Sequence, residues 1–187
     1  QRPMCITLRA PPAREPLRHY HKLVAVWRLP IIVQEVVLGV ELNVVAVGDG
    51  EGGSLGQVAV KKMWITELGK IWTGVTIRHP AMLRATERFM QEYRWRGPME
   101  LECMVDGDTV HLVEINPRFP AWSYLATGVG VNLPARLVRR AQGLPEPEAE
   151  GPDYEAGKLF VRYTYELVTE MDRFQKMITT GEWGGTP

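Results

Sequence analysis

The chain has 187 residues, sets 22 Lys+Arg against 22 Asp+Glu, is 45% apolar and carries two cysteines, which is ordinary globular composition with enough length to bury a core without disulfide or metal staples. Zero formal net charge leaves no basic excess for phosphate backbones or anionic lipid, so neither nucleic acid nor membrane is expected as a partner. The longest apolar stretch, residues 31–47, is broken by Gln34, Glu35, Glu41 and Asn43 and spans no bilayer.

Cys5 and Cys103 stand far apart behind no secretory pattern, which points to reduced thiols and a cytoplasmic location. A start at Gln1 with no leader behind it reads as a chain cut from something upstream. In chain order, residues 4–8 read as a strand ending in the turn Ala10-Pro11-Pro12. Residues 14–28 then read as an amphipathic helix whose Leu17, Tyr20, Leu23, Val24 and Trp27 face a core. Residues 31–37 and 40–47 read as strands about Leu38-Gly39, and the glycine cluster after the second as a hairpin tip, not a phosphate loop, because no helix follows it.

Two more strands are predicted at residues 57–66 and 71–77, and His79-Pro80 opens a helix over 80–93. Strands at 99–105 and 109–116 flank Asp106-Gly107-Asp108, a hairpin signal that makes the sheet antiparallel. Short helices at 122–127 and 133–142 lead to a Pro/Glu-rich linker ending at Pro152, then a strand at 157–167 and a helix at 172–178. Arg136, Arg139 and Arg140 read as a solvated helix face, and Trp64, Trp72 and Trp95 as core or interface aromatics. The fold class is α+β, an antiparallel sheet with flanking helices.

Alternation sorts the 99–116 hairpin onto two faces. Leu101, Cys103 and Val105 share an apolar face with Val113 and Ile115, while Glu100, Glu102, Glu114, Asn116 and Arg118 share a polar one. Such a face is either a solvated surface of paired charges or a cation site, and carboxylates with an amide suit Mg²⁺ or Mn²⁺ carrying substrate phosphates. Arg118, just past Pro117, is a planar cation placed to neutralise a phosphoryl group. Phe119, Pro120, Ala121 and Trp122 line an acceptor pocket or pack in the core.

Four segments in order, residues 31–37 with Gly39-x-Glu41, residues 96–102, Glu114-Ile115-Asn116-Pro117-Arg118 and residues 130–134, resemble the ATP-grasp superfamily, most of all its carbamoyl-phosphate-synthetase-like ligases. The resemblance covers about residues 15–143 and implies the C-terminal ATP-grasp subdomain with a truncated or altered N-terminal part. It implies ATP and Mg²⁺ (or Mn²⁺), a small-molecule or peptide carboxylate activated as an acyl-phosphate, and an amine-type nucleophile. Position by position, it makes Gln34, Glu35, Val36 and Val37 the adenine hinge and gives Glu41 the ribose hydroxyls. Glu102, Glu114 and Asn116 become the metal ligands, Arg118 the neighbour of the transferred phosphate, and Lys62 and Lys70 candidates for phosphate or substrate.

The strand that carries a phosphate-binding lysine in that family has Thr7 at the matching place, with Arg9 nearby, and Ala10-Pro11-Pro12 stands where the family has a Gly-rich loop. The implied division is residues 1–30 as a remnant of the first subdomain, 31–143 as the nucleotide- and metal-binding subdomain, and 144–187 as linker and extension. The readings carried forward are part of an ATP-dependent ligase, to be completed by a missing N-terminal subdomain or a second copy, or a catalytically incomplete nucleotide-binding or scaffold module. A third is an unrelated α+β domain whose polar hairpin face is a protein interface.

Overall fold

The structure, a computed structural model, describes residues 15–28, 30–66, 71–145, 154–166 and 168–181. The strand expected at residues 4–8, the Thr7 and Arg9 positions, Lys70 and most of the Pro/Glu-rich stretch lie outside them. Helix α1 (Glu15–Trp27) is followed by β1 (Val40–Asp49), β2 (Ser54–Ile65), β3 (Ile71–Ile77), α2 (Pro80–Tyr93), β4 (Arg96–Asp106) and β5 (Thr109–Asn116). Then come α3 (Tyr124–Gly128), α4 (Leu133–Ala141), β6 (Leu159–Val161) and α5 (Met171–Thr180).

The strands form one six-stranded antiparallel sheet in the order β5-β4-β1-β2-β3-β6. The centre belongs to β1, the most continuously apolar run in the chain, because a strand covered on both faces needs apolar side chains in both directions. Leu42, Val44 and Ala46 pack with Leu101, Cys103 and the α2 residues Met82 and Met90. Val45 and Val47 pack on the opposite face with Val58, Val60, Trp122 and Leu133. The α+β sheet with flanking helices expected from the sequence is thus the observed architecture.

Local chemistry explains the boundaries. Pro80 stands at the start of α2, the His79 ring nitrogen accepts from the Met82 N–H at 3.3 Å, and Arg94 ends the helix in the left-handed region. Gly107, at φ +55°, turns β4 into β5. At Gly48 a Cβ would lie 2.1 Å from the Trp95 carbonyl oxygen, so the hairpin end of β1 packs against the α2–β4 corner only without a side chain. Gly48→Ala is expected to destabilise by roughly 1–3 kcal/mol through overpacking, read as a lower urea midpoint at unchanged m-value.

Four expectations are corrected. Residues 30–38 form no strand, because β1 pairs with β4 only from Val40 opposite Val105 onward and among the described residues no strand lies where residues 31–37 could bond. Helix α1 buries its apolar stripe only in part: Tyr20, Leu23 and Val24 are half-buried, and Leu17 and Trp27 are exposed. The strand expected over 157–167 is only the three residues of β6. A bulge in β5 breaks the alternation: Glu114 opposes Glu102 but Leu112 opposes Cys103, leaving Val113 the extra residue, 60% exposed.

Part of the stretch read as an extension joins the sheet. Beside β6, Tyr154 is buried, its hydroxyl donating to the Ile77 carbonyl at 2.7 Å and accepting from the Ala59 N–H at 3.0 Å. The arginines of α4 do not form one solvated face. Arg136 donates to the Leu55 carbonyl, Arg139 to the Pro145 carbonyl, and Arg140 pairs with Glu51. Of the three tryptophans, Trp95 packs beside the α2 cluster, whereas Trp64 and Trp72 are exposed.

Candidate active site

The register assembles a polar patch inside the layer covered by α3 and α4. Val45 lies opposite Glu100 and Asn43 opposite Glu102, while Asn116 lies opposite Glu100 and Glu114 opposite Glu102. All of these residues therefore share a face with Val45 and Val47. Beyond β5 the Arg118 N–H returns to the Asn116 carbonyl at 2.8 Å around Pro117, a three-residue turn suited to proline's fixed φ. The chain then folds Phe119 to Trp122 back over the sheet.

This closure corrects the picture of a solvated acidic face. Glu100 is 4% exposed, and its Oε1 accepts from Asn43 Nδ2 at 3.0 Å and Trp122 Nε1 at 2.8 Å. Its Oε2 faces Asn116 Nδ2 at 3.4 Å and the Arg118 guanidinium at 3.6 Å. Burial pushes the Glu100 carboxyl above the usual carboxylate range, opposed by the hydrogen bonds from Trp122 and Asn43.

Lys62 reaches across from β2 and donates to both Glu41 and Glu102, the latter at 2.9 Å. Burial alone would lower its pKa, but the two carboxylates outweigh burial, so it is raised and the ammonium stays charged. Glu102 also accepts from Asn116 Nδ2 at 3.1 Å, and Asn116 Oδ1 accepts from Arg118 at 3.1 Å. Glu114 stands exposed at the rim. Above these groups opens a cleft of about 450 Å³, lined by Lys62, Glu100, Glu102 and Arg118, by the Phe119–Trp122 segment, and by Ile71 and Arg162.

Of the residues singled out from sequence, Lys62, Glu41, Glu102, Asn116 and Arg118 come together through direct contacts, with Glu114 beside them. Gln34, Glu35, Val36 and Val37 lie in the exposed, non-strand segment before β1. The Phe119–Trp122 segment satisfies both of its readings: Trp122 is core, while the segment lines the cleft. Three residues went unnoticed in the sequence: Asn43, Trp122 as a donor to Glu100, and Arg162. Asn43 was legible, since alternation with Val45 and Val47 buries its amide and so demands a partner.

Among the described residues no three His, Cys, Asp or Glu side chains converge as a ready metal cage. The donors here are instead two carboxylates and an amide, the set with which Mg²⁺ is held when phosphates and water complete its shell. Lys62 already sits as a cation on Glu102, so the pocket accepts positive charge, and the residues present fit Mg²⁺ with a nucleotide.

The glycine-rich tip between β1 and β2 uses its own donors: Asp49 Oδ1 accepts from the Glu51 N–H at 2.7 Å and the Gly53 N–H at 2.9 Å. The Glu51 bond leads in lowering the Asp49 pKa, with Gly53 and Arg140 adding to it against a cost of burial. A lowered folded-state pKa gives stability that is present above the unfolded pKa, near 3.9, and is lost as pH falls through the folded one. Asp49→Asn is expected to flatten that acid-side loss in urea melts between about pH 5 and 2. Cys103, buried in the α2-side cluster, has its thiol pushed up to about 11 by burial and then by Glu102, which makes it inert.

Residues 28–163 match the family described as ATP-grasp in the biosynthetic pathway with Ter operon. The chain belongs to that ATP-grasp family. No curated protein matches its sequence. Among solved structures, N5-carboxyaminoimidazole ribonucleotide synthetase from Thermus thermophilus is similar at TM-score 0.56 and 18% identity over 72% of this chain and 39% of that one. The biotin carboxylase domain of a thermophilic 2-oxoglutarate carboxylase, bound to bicarbonate, is similar at TM-score 0.59 and 12% identity over 78% of this chain and 35% of that one. That of Hydrogenobacter thermophilus, a dimer in complex with MgADP, ADP and bicarbonate, is similar at TM-score 0.54 and 14% identity over 78% and 34%. The ATP-grasp chain therefore spans between 34% and 39% of the length of these three proteins and shares the fold of part of each.

Proposed function

We propose that this ATP-grasp chain is the ATP- and Mg²⁺-binding part of a ligase that activates a carboxylate as an acyl-phosphate for attack by an amine or similar nucleophile. The observation that carries the reading is the convergence of Glu102, Asn116 and Arg118 beneath one cleft, with Glu114 at its rim and Lys62 bridging Glu102 to Glu41. Glu102, Glu114 and Asn116 would hold Mg²⁺, which when bound neutralises phosphate oxygens. Glu41 would take the ribose hydroxyls, and the segment Gln34 to Val37 the adenine, through backbone groups that pair in no strand among the described residues. Lys70 is kept as a phosphate or substrate contact from sequence alone.

In the proposed reaction an acceptor carboxylate oxygen attacks the terminal phosphorus and ADP departs. The nucleophile's lone pair then attacks the acyl carbon, phosphate leaves, and the nucleophile loses a proton. Arg118 lies where it can face the transferred phosphate, held by Asn116 and Glu100. Positioning and charge neutralisation suffice for this chemistry without a protein nucleophile. The neighbour holding MgADP and bicarbonate supports the reading. The division into residues 1–30, 31–143 and 144–187 belongs to the same proposal.

The test is thermal stability and phosphate release with Mg²⁺-ATP, on this chain and on the full-length protein, across a panel of carboxylates and amines. A Mg²⁺-dependent rise in Tm with carboxylate-dependent phosphate release is expected. Binding without release from the full-length protein would favour the non-catalytic nucleotide-binding or scaffold module. No response in either chain would remove the nucleotide reading.

A further inference from the structure

The two consecutive lysines of β2 point to opposite faces of the sheet. Lys61 pairs with Leu42, which packs on the α2 side, so alternation sends Lys61 to that face, where it is exposed. Lys62 points to the cleft instead. Its side chain is only 12% exposed there, and its ammonium lies between Glu41 and Glu102.

The oxygens that would take a metal are already engaged. Glu102 Oε2 accepts from Lys62 at 2.9 Å, Glu102 Oε1 from Asn116 Nδ2 at 3.1 Å, and Asn116 Oδ1 from Arg118 at 3.1 Å. Each of these donors holds an acceptor site that a cation would need. Two of them also carry charge, but not to equal effect. Arg118 is 58% exposed and leans on Glu100, so water screens it, whereas Lys62 is largely enclosed and sits on the metal carboxylate itself. A second cation on Glu102 would meet a full positive charge at close range where screening is weak. Glu114, the remaining proposed ligand, is exposed, and Mg²⁺, which dehydrates reluctantly, gains little from one such carboxylate without phosphates.

We propose that Lys62 is a resident counter-cation that keeps Glu102 closed to free divalent metal, and that nucleotide phosphates open the site by drawing the ammonium off. The metal then enters only with the polyphosphate it serves. The same ammonium also occupies Glu41, the proposed ribose acceptor, so its departure frees both groups at once. The proposal rests on the Mg²⁺-nucleotide reading for what displaces Lys62, but the closed carboxylate is measurable with metal alone.

The experiment is calorimetric titration of the full-length protein with Mn²⁺ alone and, separately, with ADP in the presence of EDTA. Nucleotide-free wild type should bind Mn²⁺ weakly. Lys62→Gln keeps a hydrogen-bond donor but loses the charge, and should bind Mn²⁺ about tenfold or more tighter, the worth of one charged hydrogen bond that the metal no longer displaces. Lys62→Arg should stay as weak as the wild type. Lys61→Gln, which removes the same charge from the opposite face, should also leave Mn²⁺ affinity unchanged. Metal-free ADP should move the other way and bind Lys62→Gln more weakly than the wild type. A merely structural role for Lys62 would weaken both ligands together, so opposite shifts are the signature. No gain in Mn²⁺ affinity in Lys62→Gln, an equal gain in Lys62→Arg or Lys61→Gln, or metal-free ADP binding Lys62→Gln no more weakly would each overturn the proposal. Micromolar Mn²⁺ binding by the nucleotide-free wild type would overturn it without any variant. Failure of the wild type to bind ADP even with Mg²⁺ would instead remove the nucleotide reading, and the Mn²⁺ titrations would still decide for or against Lys62.

Discussion

Glu102→Ala is expected to weaken Mg²⁺-dependent nucleotide binding by more than the roughly 10–100-fold that losing an outer-shell partner of a metal site costs. The side chain serves three neighbours at once: it accepts from Lys62 and from Asn116 and stands opposite Glu114. Its removal deletes a proposed ligand, leaves Asn116 with Glu100 and Arg118 and leaves Lys62 with Glu41 alone. Glu114→Ala should act on the metal with less collateral change, because Glu114 is exposed. Calorimetry with Mn²⁺-ADP distinguishes the two, and adenosine binding should survive both substitutions. Equal loss of adenosine would mean the variants disturb the fold rather than a metal site.

The second large effect concerns stability. Glu100→Ala is expected to cost on the order of 2–6 kcal/mol, since Asn43 and Trp122 would each keep a buried donor with no acceptor, at about 1–3 kcal/mol apiece. Glu100→Gln should fold far better, because an amide oxygen can still accept both bonds. Its NH₂ would then face the donors of Asn116 and Arg118, so alignment at the phosphate end should suffer in a variant of near-native Tm. Because burial raises the Glu100 pKa in the folded state, the associated stability is fully present below the unfolded pKa and is lost as pH rises through the folded one. Urea melts from about pH 4 to 8 should therefore show Glu100→Gln losing less than the wild type toward neutral pH. Identical slopes would show that Glu100 carries no such linkage.

The sequence made the middle of the molecule readable where local chemistry and tertiary demand agree. Helix α2 and strand β5 start and stop at the expected residues because a proline and an Asp-Gly turn punctuate them. The polar patch was readable because Glu100, Glu102, Glu114 and Asn116 keep their faces near the turn at Pro117. Residues 31–37 misled because β-branched residues favour strands only where a partner strand exists to bond them. The burial of Glu100 was hidden because its lid, Trp122, arrives from a segment whose direction is set by the turn after Asn116. Arg162 was invisible because three residues of pairing with β3, far along the chain, bring it to the cleft.

The bulge at Val113 also bears on how the protein behaves among its own copies. An outermost strand offers its free N–H and C=O groups to any passing chain, and regular pairing would make β5 a template eight residues long. The extra residue breaks that row midway and increases the local twist, while at the other border β6 offers only three residues. Among the described residues, the two free borders of the sheet are thus poor seeds for edge-to-edge aggregation. The irregularity that keeps Glu114 and Asn116 beside the site also limits the growth of the sheet into larger assemblies.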